Sequence, residues 1–167
     1  MPCGRRARCI VVIAMAVTVV AVMAALRFAP AARFRSGASA DLAAGNGTCV
    51  IGRCTTELNP DQRSRNDNIA IAAEKLDGTM VGPGQEFSFN EAVGERSSEL
   101  GYGPARVIRD GRSEPGIAGG ICQLSSTLYN AALLAGMEIT ERRPHSRPVP
   151  YLPAGLDATV SYGAADL

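Results

Sequence analysis

An uncharged, largely apolar run from Cys9 to Leu26 divides the chain into two unequal parts. A helix that crosses the hydrocarbon core of a bilayer needs about 20 predominantly apolar residues, and this run is close to that length. A cluster of arginines precedes the run, which places the N-terminus in the cytoplasm. We therefore predict a cytoplasmic basic segment over residues 1–8 and a transmembrane signal-anchor helix over residues 9–29. The rest of the chain then lies outside the cytoplasm, on a single-pass protein of the cell membrane.

A cleaved signal peptide is the alternative to the anchor, with Ala38-Ser39-Ala40 as the small-residue cleavage site. The anchor is favoured because this site lies well past the apolar run, and the run is long for a signal peptide. Both alternatives export the remainder of the chain. Residues 30–47 are rich in Ala, Gly, Arg and Ser without an apolar period, which predicts a flexible tether.

Residues 48–167 form the part that can fold, and they suffice for one modest hydrophobic core. A helical period runs from Ile69 to Leu76, and a longer one runs from Ile121 to Ala135. Short strand-like segments surround both. The sequence therefore predicts a single small α+β domain of antiparallel strands with two main helices. The formal net charge of +1 gives no indication of nucleic-acid binding.

Four segments have the composition of strands. Gln85–Phe89 alternates, so that Phe87 and Phe89 are expected to face the core. Ala105–Arg109 is followed by Asp110-Gly111, which predicts a hairpin. Met137–Arg142 and Asp157–Tyr162 are the other two predicted strands.

The chain has five cysteines, of which Cys49, Cys54 and Cys122 are predicted to lie outside the cytoplasm. In a straight strand Cys49 and Cys54 would be about 16 Å apart, too far for a disulfide. They can pair only if residues 50–53 form a tight turn. A disulfide between them and two unpaired thiols are therefore both open alternatives. Cys122 is then the remaining thiol, and such a thiol in an exported protein is a candidate for reactivity or for an intermolecular bond.

Cys122 is predicted in the first turn of its helix, directly after Gly119-Gly120. Backbone N–H groups at a helix start lack intrahelical partners, and the helix dipole is positive there. Both effects favour the thiolate form of a cysteine. In the alternative interpretation, Cys122 is a small residue that only packs at the helix start.

His145, the only histidine, and Asp157 follow Cys122 in the order nucleophile, base and orienting acid. This order is typical of cysteine acyl transfer, although a lone histidine is more often structural. We predict Cys122, His145 and Asp157 as the catalytic residues. The residues predicted to contact a substrate lie on the Cys122 helix or beside His145: Gln123, Ser126, Tyr129 and Arg142. No zinc-ligand set is present in the sequence, and no cofactor is predicted.

Several blocks of this sequence resemble the VanW family, named from an accessory protein of vancomycin-resistance operons. The resemblance covers about Thr55 to Leu167, and its most specific parts are Pro83–Asn90, Val93-Gly94, Gly119–Ala131, Glu141-Arg142, His145-Ser146 and Tyr151 through Asp157–Val160. Ala118 departs from the family, which usually has a third glycine there. Family members also continue beyond the position of Leu167, so a truncated domain is expected.

The resemblance implies a location in the cell envelope and an association with glycopeptide resistance, but it gives no mechanism. The first hypothesis is a cysteine-dependent acyl-transfer or hydrolase-like activity on peptidoglycan or its precursors. The alternatives are a non-catalytic module that binds peptidoglycan or an envelope partner, and a purely structural role for Gly119–Gln123. Contact between the side chains of Cys122 and His145 would favour the first hypothesis over the other two.

Overall fold

The computed structural model describes the backbone of Val11–Val12 and residues 50–109 and 111–167. The predicted basic segment, the tether and Cys49 lie outside these residues, and so does the predicted transmembrane helix except for Val11–Val12. These two residues form strand β1, which pairs antiparallel with strand β2 (Met80–Val81). Among the helices of the described residues, none combines the length and hydrophobicity that a membrane crossing requires.

The described residues form a small α+β domain with two main helices, as the sequence predicts. The elements after β1 are, in chain order, α1 (Arg63–Leu76), β2, α2 (Phe89–Val93), a 3-10 helix (Ser98–Leu100), β3 (Pro104–Arg109), β4 (Arg112–Ile117) and α3 (Ile121–Leu134).

Helices α1 and α3 enclose the core. On α1 the buried side chains fall at the predicted helical spacing, from Ile69 to Leu76, and Gly78 follows with φ of +73°. On α3 the apolar stripe begins at Ile121 and packs against α1. The core consists of the apolar residues Ile69, Ala72, Ala73, Leu76, Phe89, Val93, Tyr102, Ile121, Leu124, Leu128 and Val160.

The predicted hairpin is confirmed. Strands β3 and β4 pair antiparallel, from Pro104 opposite Ile117 to Arg109 opposite Arg112. Gly111, in the turn, has φ of +71°, which glycine adopts without a steric penalty. Strand β4 ends at Ile117, so that only three residues separate the hairpin from α3.

The strand predicted over Gln85–Phe89 is wrong. Phe89 instead begins α2, and the hydroxyl of Ser88 accepts a hydrogen bond of 3.0 Å from the N–H of Glu91. Serine before a helix with glutamate three residues later is a capping sequence, and this local signal outweighs the short alternation. Phe89 is nevertheless fully buried, and the partly buried Phe87 packs against the core.

The strands predicted over Met137–Arg142 and Asp157–Tyr162 are also wrong. Neither segment forms a strand; Ser161 makes only an isolated antiparallel bridge with Ala165, and one hydrogen bond of 2.7 Å joins the N–H of Thr159 to the carbonyl of Arg143. Side chains satisfy much of this backbone instead, because serine and asparagine of α3 bind the second segment directly. A buried backbone needs hydrogen-bond partners, but these need not come from a neighbouring strand.

Candidate active site around Cys122

Two glycines bring the start of α3 against β3 and α1. A Cβ atom on Gly119 would lie 2.5 Å from the carbonyl oxygen of Arg106, so no side chain fits there. Gly120 has φ of +114°, and a Cβ there would lie 2.9 Å from Cγ of Arg65. The sequence Gly119-Gly120 is therefore required for the close approach that places Cys122 in the first turn of the helix.

Ala118, where the VanW family usually has glycine, is the only described residue other than glycine with positive φ, at 59°. This left-handed conformation costs an alanine about 1–2 kcal/mol relative to the right-handed one. A glycine, which the resemblance implies at this position, would adopt this conformation without that cost.

The structure brings the three predicted catalytic residues together. The side chains of Cys122 and His145 lie near enough for the thiol to interact with the imidazole. Nδ1 of His145 lies 2.7 Å from Oδ2 of Asp157, which leaves Nε2 as the ring nitrogen that can exchange a proton with the thiol. The Cys122 sulfur also lies 3.5 Å from the carbonyl oxygen of Val160. These contacts form a continuous chain from a half-buried thiol to a carboxylate.

Both oxygens of Asp157 are fixed. Oδ2 accepts hydrogen bonds from the ring of His145 and, at 2.6 Å, from its backbone N–H. Oδ1 lies 3.3 Å from Nη2 of Arg142, whose guanidinium also donates to the carbonyls of Gly155 and Asp157. The side chains of His145 and Asp157 are only 6% and 10% exposed, so the imidazole is held in one orientation.

The charges of the site reinforce one another. Burial by itself lowers the pKa of His145, but the hydrogen bonds and charges of Cys122 and Asp157 outweigh it and raise that pKa above its usual value. Burial by itself raises the pKa of Asp157, whereas the backbone N–H and the ring of His145 together bring that pKa below its usual value. Asp157 is therefore ionised at neutral pH and stabilises the protonated form of His145.

Polar side chains of α3 hold the segment that carries Asp157. The Ser125 hydroxyl donates to the carbonyl of Ala158 at 2.7 Å, and the Ser126 hydroxyl accepts from the N–H of Ala158 at 2.9 Å. The amide of Asn130 donates to the carbonyl of Leu156 at 2.6 Å. Because all three side chains are buried, their role is to fix Asp157 relative to Cys122.

Replacing Ser126 with Ala is expected to destabilise the domain by about 1–3 kcal/mol, since it leaves the buried N–H of Ala158 without an acceptor. Urea unfolding measures the change. Ser146 is exposed, so Ser146→Ala is the matched control and should change the free energy of unfolding by less than about 0.5 kcal/mol. Equal effects of the two substitutions would contradict the assigned role of Ser126.

Replacing Asp157 with Asn is expected to lower the pKa of His145, because the negative charge and the acceptor that stabilise the imidazolium are lost. The chain has one histidine, so an NMR pH titration of its ring protons reports on His145 without assignment. In the unaltered chain the measured pKa should lie above the ordinary 6.5. A value at or below 6.5, or no change on substitution, would be inconsistent with this geometry.

The predicted substrate contacts occupy structural positions. Gln123 is 3% exposed and donates to the hydroxyl of Thr56 and the carbonyl of Glu57. Ser126 is fully buried, Tyr129 is 9% exposed, and the guanidinium of Arg142 lies 5.5 Å from the centre of the Tyr129 ring while it holds Asp157. As placed here, Ser126 and Arg142 hold the segment that carries Asp157, and Gln123 holds the backbone at Glu57.

Three residues beside Cys122 were not predicted as site residues. The hydroxyl of Tyr151 hydrogen-bonds to Ser126, and burial raises the pKa of this phenol above its usual value. The guanidinium groups of Arg65 and Arg96 both interact electrostatically with Cys122. Tyr151 belongs to a block that resembles the VanW family, but no local pattern in the sequence points to either arginine.

Other features of the described part lie away from this site. Cys54 is a free thiol there, and its partner in the predicted disulfide, Cys49, lies outside the described residues. No group of three or more His, Cys, Asp or Glu side chains in that part is arranged to hold a metal.

Two clefts, of about 410 and 310 Å³, are lined by residues other than Cys122, His145 and Asp157. The candidate site is placed at Cys122 because a thiol, an imidazole and a carboxylate come together there, although neither cleft is lined by these three side chains.

Comparisons with known proteins agree with the resemblance. A family model described as VanW like protein matches residues 64–167. An uncharacterised protein of Bacillus subtilis, YoaR, is 45% identical over 119 residues, which cover 71% of this chain and 39% of that protein. The vancomycin B-type resistance protein VanW of Enterococcus faecalis is 31% identical over 111 residues, 64% of this chain and 40% of that protein. The chain thus spans about two fifths of the length of these relatives. No solved structure matches it significantly.

Proposed function

The chain belongs to the VanW-like protein family, and we propose that its Cys122, His145 and Asp157 form the catalytic centre of a cysteine-dependent acyl-transfer reaction. The observation that carries this proposal is the placement of the imidazole between the thiol, with which it interacts, and the carboxylate, to which it is hydrogen-bonded. A nucleophile, a base and a group that orients the base are the parts that this chemistry requires.

The first half of the reaction forms a thioester. Nε2 of His145 takes the proton of the Cys122 thiol, and the sulfur attacks the carbonyl carbon of an amide substrate. The protonated His145, stabilised by Asp157, then gives its proton to the departing amine as the carbon–nitrogen bond breaks. In the second half His145 removes a proton from water or from an acceptor amine, which attacks the thioester and releases the sulfur.

The start of α3 provides a place for the oxyanion. Within the described residues, the N–H groups of Ile121 and Cys122 donate to no protein acceptor. Backbone N–H groups at a helix start stabilise negative charge, and the loss of one such donor in other enzymes costs about 10²–10³ in kcat. The nucleophile and the oxyanion donors therefore lie side by side on one helical turn.

The substrate proposed here is peptidoglycan or one of its precursors. The printed name of the enterococcal relative connects that protein with vancomycin B-type resistance. The apolar run after the N-terminal arginines supports a place for this chain in the cell envelope, where peptidoglycan supplies amide bonds. An association of this chain with glycopeptide resistance is part of the same proposal.

The alternative of a non-catalytic binding module loses support from the contacts of α3. The polar residues that would bind a glycopeptide in that hypothesis include Ser125, Ser126 and Asn130, which are buried and hydrogen-bonded to the backbone of residues 156–158. A ligand would have to displace the segment that carries Asp157 in order to reach them.

Turnover of soluble muropeptides by the full-length chain, followed by liquid chromatography and mass spectrometry, tests the proposal. Cys122→Ala should abolish turnover, whereas Cys54→Ala, which removes the other described free thiol, should leave it intact. Turnover that survives Cys122→Ala would refute the cysteine mechanism. Muropeptide binding that persists in Cys122→Ala, without turnover by either protein, would support the binding module.

We further propose that the chain remains attached to the membrane through residues 9–29, with the domain outside the cytoplasm; in that arrangement Val11–Val12 leave the pairing with β2 that they make here. The intact mass of the protein extracted from membranes tests this. A mass that includes the N-terminal segment agrees with a signal anchor, whereas a chain that begins after Ala40 would show cleavage and contradict it.

A further inference from the structure

Arg65 and Arg96 are half-buried, and neither forms an ion pair with another residue that the structure describes. Arg65 lies on α1, where its carbonyl oxygen and Cγ approach Gly120 at the start of α3. Its guanidinium carbon lies 5.9 Å from the centre of the Tyr151 ring. Arg96 lies in the loop after α2, with its guanidinium carbon 5.5 Å from the centre of the Phe89 ring and 5.8 Å from that of Tyr162. Both charges interact with Cys122.

The donors of Arg96 are not satisfied by the protein. Its Nε and Nη2 atoms are buried and have no hydrogen-bond partner among the described residues. Asp166 is near enough to influence the charge of Arg96, but it forms no ion pair with it and instead binds Ser88 and the N–H of Asn90. Buried guanidinium donors are normally paired, so an unpaired group beside a reactive thiol requires an explanation.

The third arginine of the site, Arg142, differs from these two. Arg142 is bound to Asp157 and to two carbonyls, so its donors are used within the protein. Arg65 and Arg96 contact aromatic rings, which hold a guanidinium in place but leave its in-plane donors available. Arginine is well suited to bind a carboxylate through such donors.

We propose that Arg65 and Arg96 bind a carboxylate of the substrate next to the bond that Cys122 attacks, so that the substrate is an anionic peptide. The proposal rests on the proposed function in taking Cys122 as the reacting thiol. Arg65 reaches the start of α3 from α1, and Arg96 lies on the ring of Tyr162, close in sequence to Val160, whose carbonyl oxygen lies 3.5 Å from the Cys122 sulfur. Asp157 is paired with Arg142, and Asp166 binds Ser88 and Asn90, so neither carboxylate is paired with Arg65 or Arg96. An anionic group is drawn to such a site more strongly than a neutral group of the same shape.

Iodoacetate and iodoacetamide test this without knowledge of the substrate. With both reagents the sulfur forms a bond to carbon and iodide leaves. The two differ only in that iodoacetate carries a carboxylate where iodoacetamide carries a neutral amide. The rate constant for each is measured at Cys122 in the full-length chain by peptide mass spectrometry. The ratio of the iodoacetate rate to the iodoacetamide rate should be about 10-fold higher in the folded protein than in the urea-unfolded protein.

Substitutions test whether the two arginines cause the higher ratio of the iodoacetate rate to the iodoacetamide rate. Arg65→Gln and Arg96→Gln should each lower it at least about threefold, while Arg65→Lys and Arg96→Lys, which keep the charge, should retain most of it. Arg109→Gln is the matched control, because Arg109 is an exposed arginine paired with Glu114 on the hairpin, and it should leave the ratio unchanged. Increasing salt should lower the ratio in the unaltered chain, which requires no substitution to fold.

The outcomes separate this inference from the proposed function. A ratio equal to that of the unfolded protein and insensitive to salt and to both Gln substitutions would overturn the anion site. If iodoacetamide still reacts rapidly with Cys122 in that experiment, the nucleophile stands and only the anion site fails. If Cys122 reacts with neither reagent in the folded chain, the proposed function fails.

Discussion

Replacing His145 with Ala is expected to slow the reaction of Cys122 with iodoacetamide at pH 7 by about 100-fold. His145 interacts with the thiol and is itself held by Asp157, so its removal takes away the group that is proposed to accept the thiol proton. A positioned base typically contributes 10²–10⁴-fold to such a step. The rate is measured from the mass of the peptide that contains Cys122.

Cys54 provides the control for this substitution within the same molecule. It is a free thiol remote in sequence from the catalytic three, and its alkylation rate should be the same in both proteins. A His145→Ala protein whose Cys122 reacts within about twofold of the unaltered rate, while Cys54 is unchanged, would show that the imidazole does not activate the thiol.

Replacing Gly120 with Ala is expected to destabilise the domain by about 3 kcal/mol. The new Cβ would lie 2.9 Å from Cγ of Arg65, 3.0 Å from its carbonyl oxygen and 3.1 Å from Cγ1 of Ile69, and φ of +114° is unfavourable for alanine. Backbone strain and overpacking each cost about 1–3 kcal/mol. Urea unfolding measures the loss, and the same substitution should reduce the reactivity of Cys122 because the helix start moves away from α1.

Gly136, at the other end of α3, is the matched control. It also has positive φ, at +71°, but nothing lies within 4 Å of the position that its Cβ would take. Gly136→Ala should therefore lower the free energy of unfolding by only about 1–2 kcal/mol, which is the cost of a left-handed backbone conformation for alanine. It should leave the reactivity of Cys122 unchanged. If both substitutions cost the same, the close approach of α3 to α1 at Gly120 is not as described.

The sequence predicts the parts of the fold that depend on local signals. The helical periods of α1 and α3 are confirmed because their apolar stripes face each other across the core, and Asp110-Gly111 correctly predicts the hairpin. Helix α2 was missed because the alternation of Gln85–Phe89 was given more weight than the Ser88–Glu91 cap. The strand predicted over Asp157–Tyr162 fails because serine side chains of α3 bind its backbone at Ala158, and the one over Met137–Arg142 has no strand paired with it among the described residues.

The sequence predicts the three residues of the candidate site and their order along the chain, but not which side chains surround them. Periodicity placed Cys122 at a helix start, and the only histidine and Asp157 followed it along the chain. Periodicity cannot tell what covers a helix face, which is why Gln123 and Ser126 were expected to bind substrate although both hold neighbouring backbone. Arg65 and Arg96 reach the thiol only through tertiary packing, so no local pattern marks them.

The most direct test of the account is to look for an acyl group on Cys122. The full-length chain is exposed briefly to soluble muropeptides, quenched in acid and digested, and the Cys122 peptide is analysed by mass spectrometry. The account predicts a muropeptide fragment joined to Cys122 through a thioester, removed by neutral hydroxylamine and absent from Cys54. An unmodified Cys122 peptide at every quench time, in a protein that turns over muropeptides, would contradict the proposed mechanism.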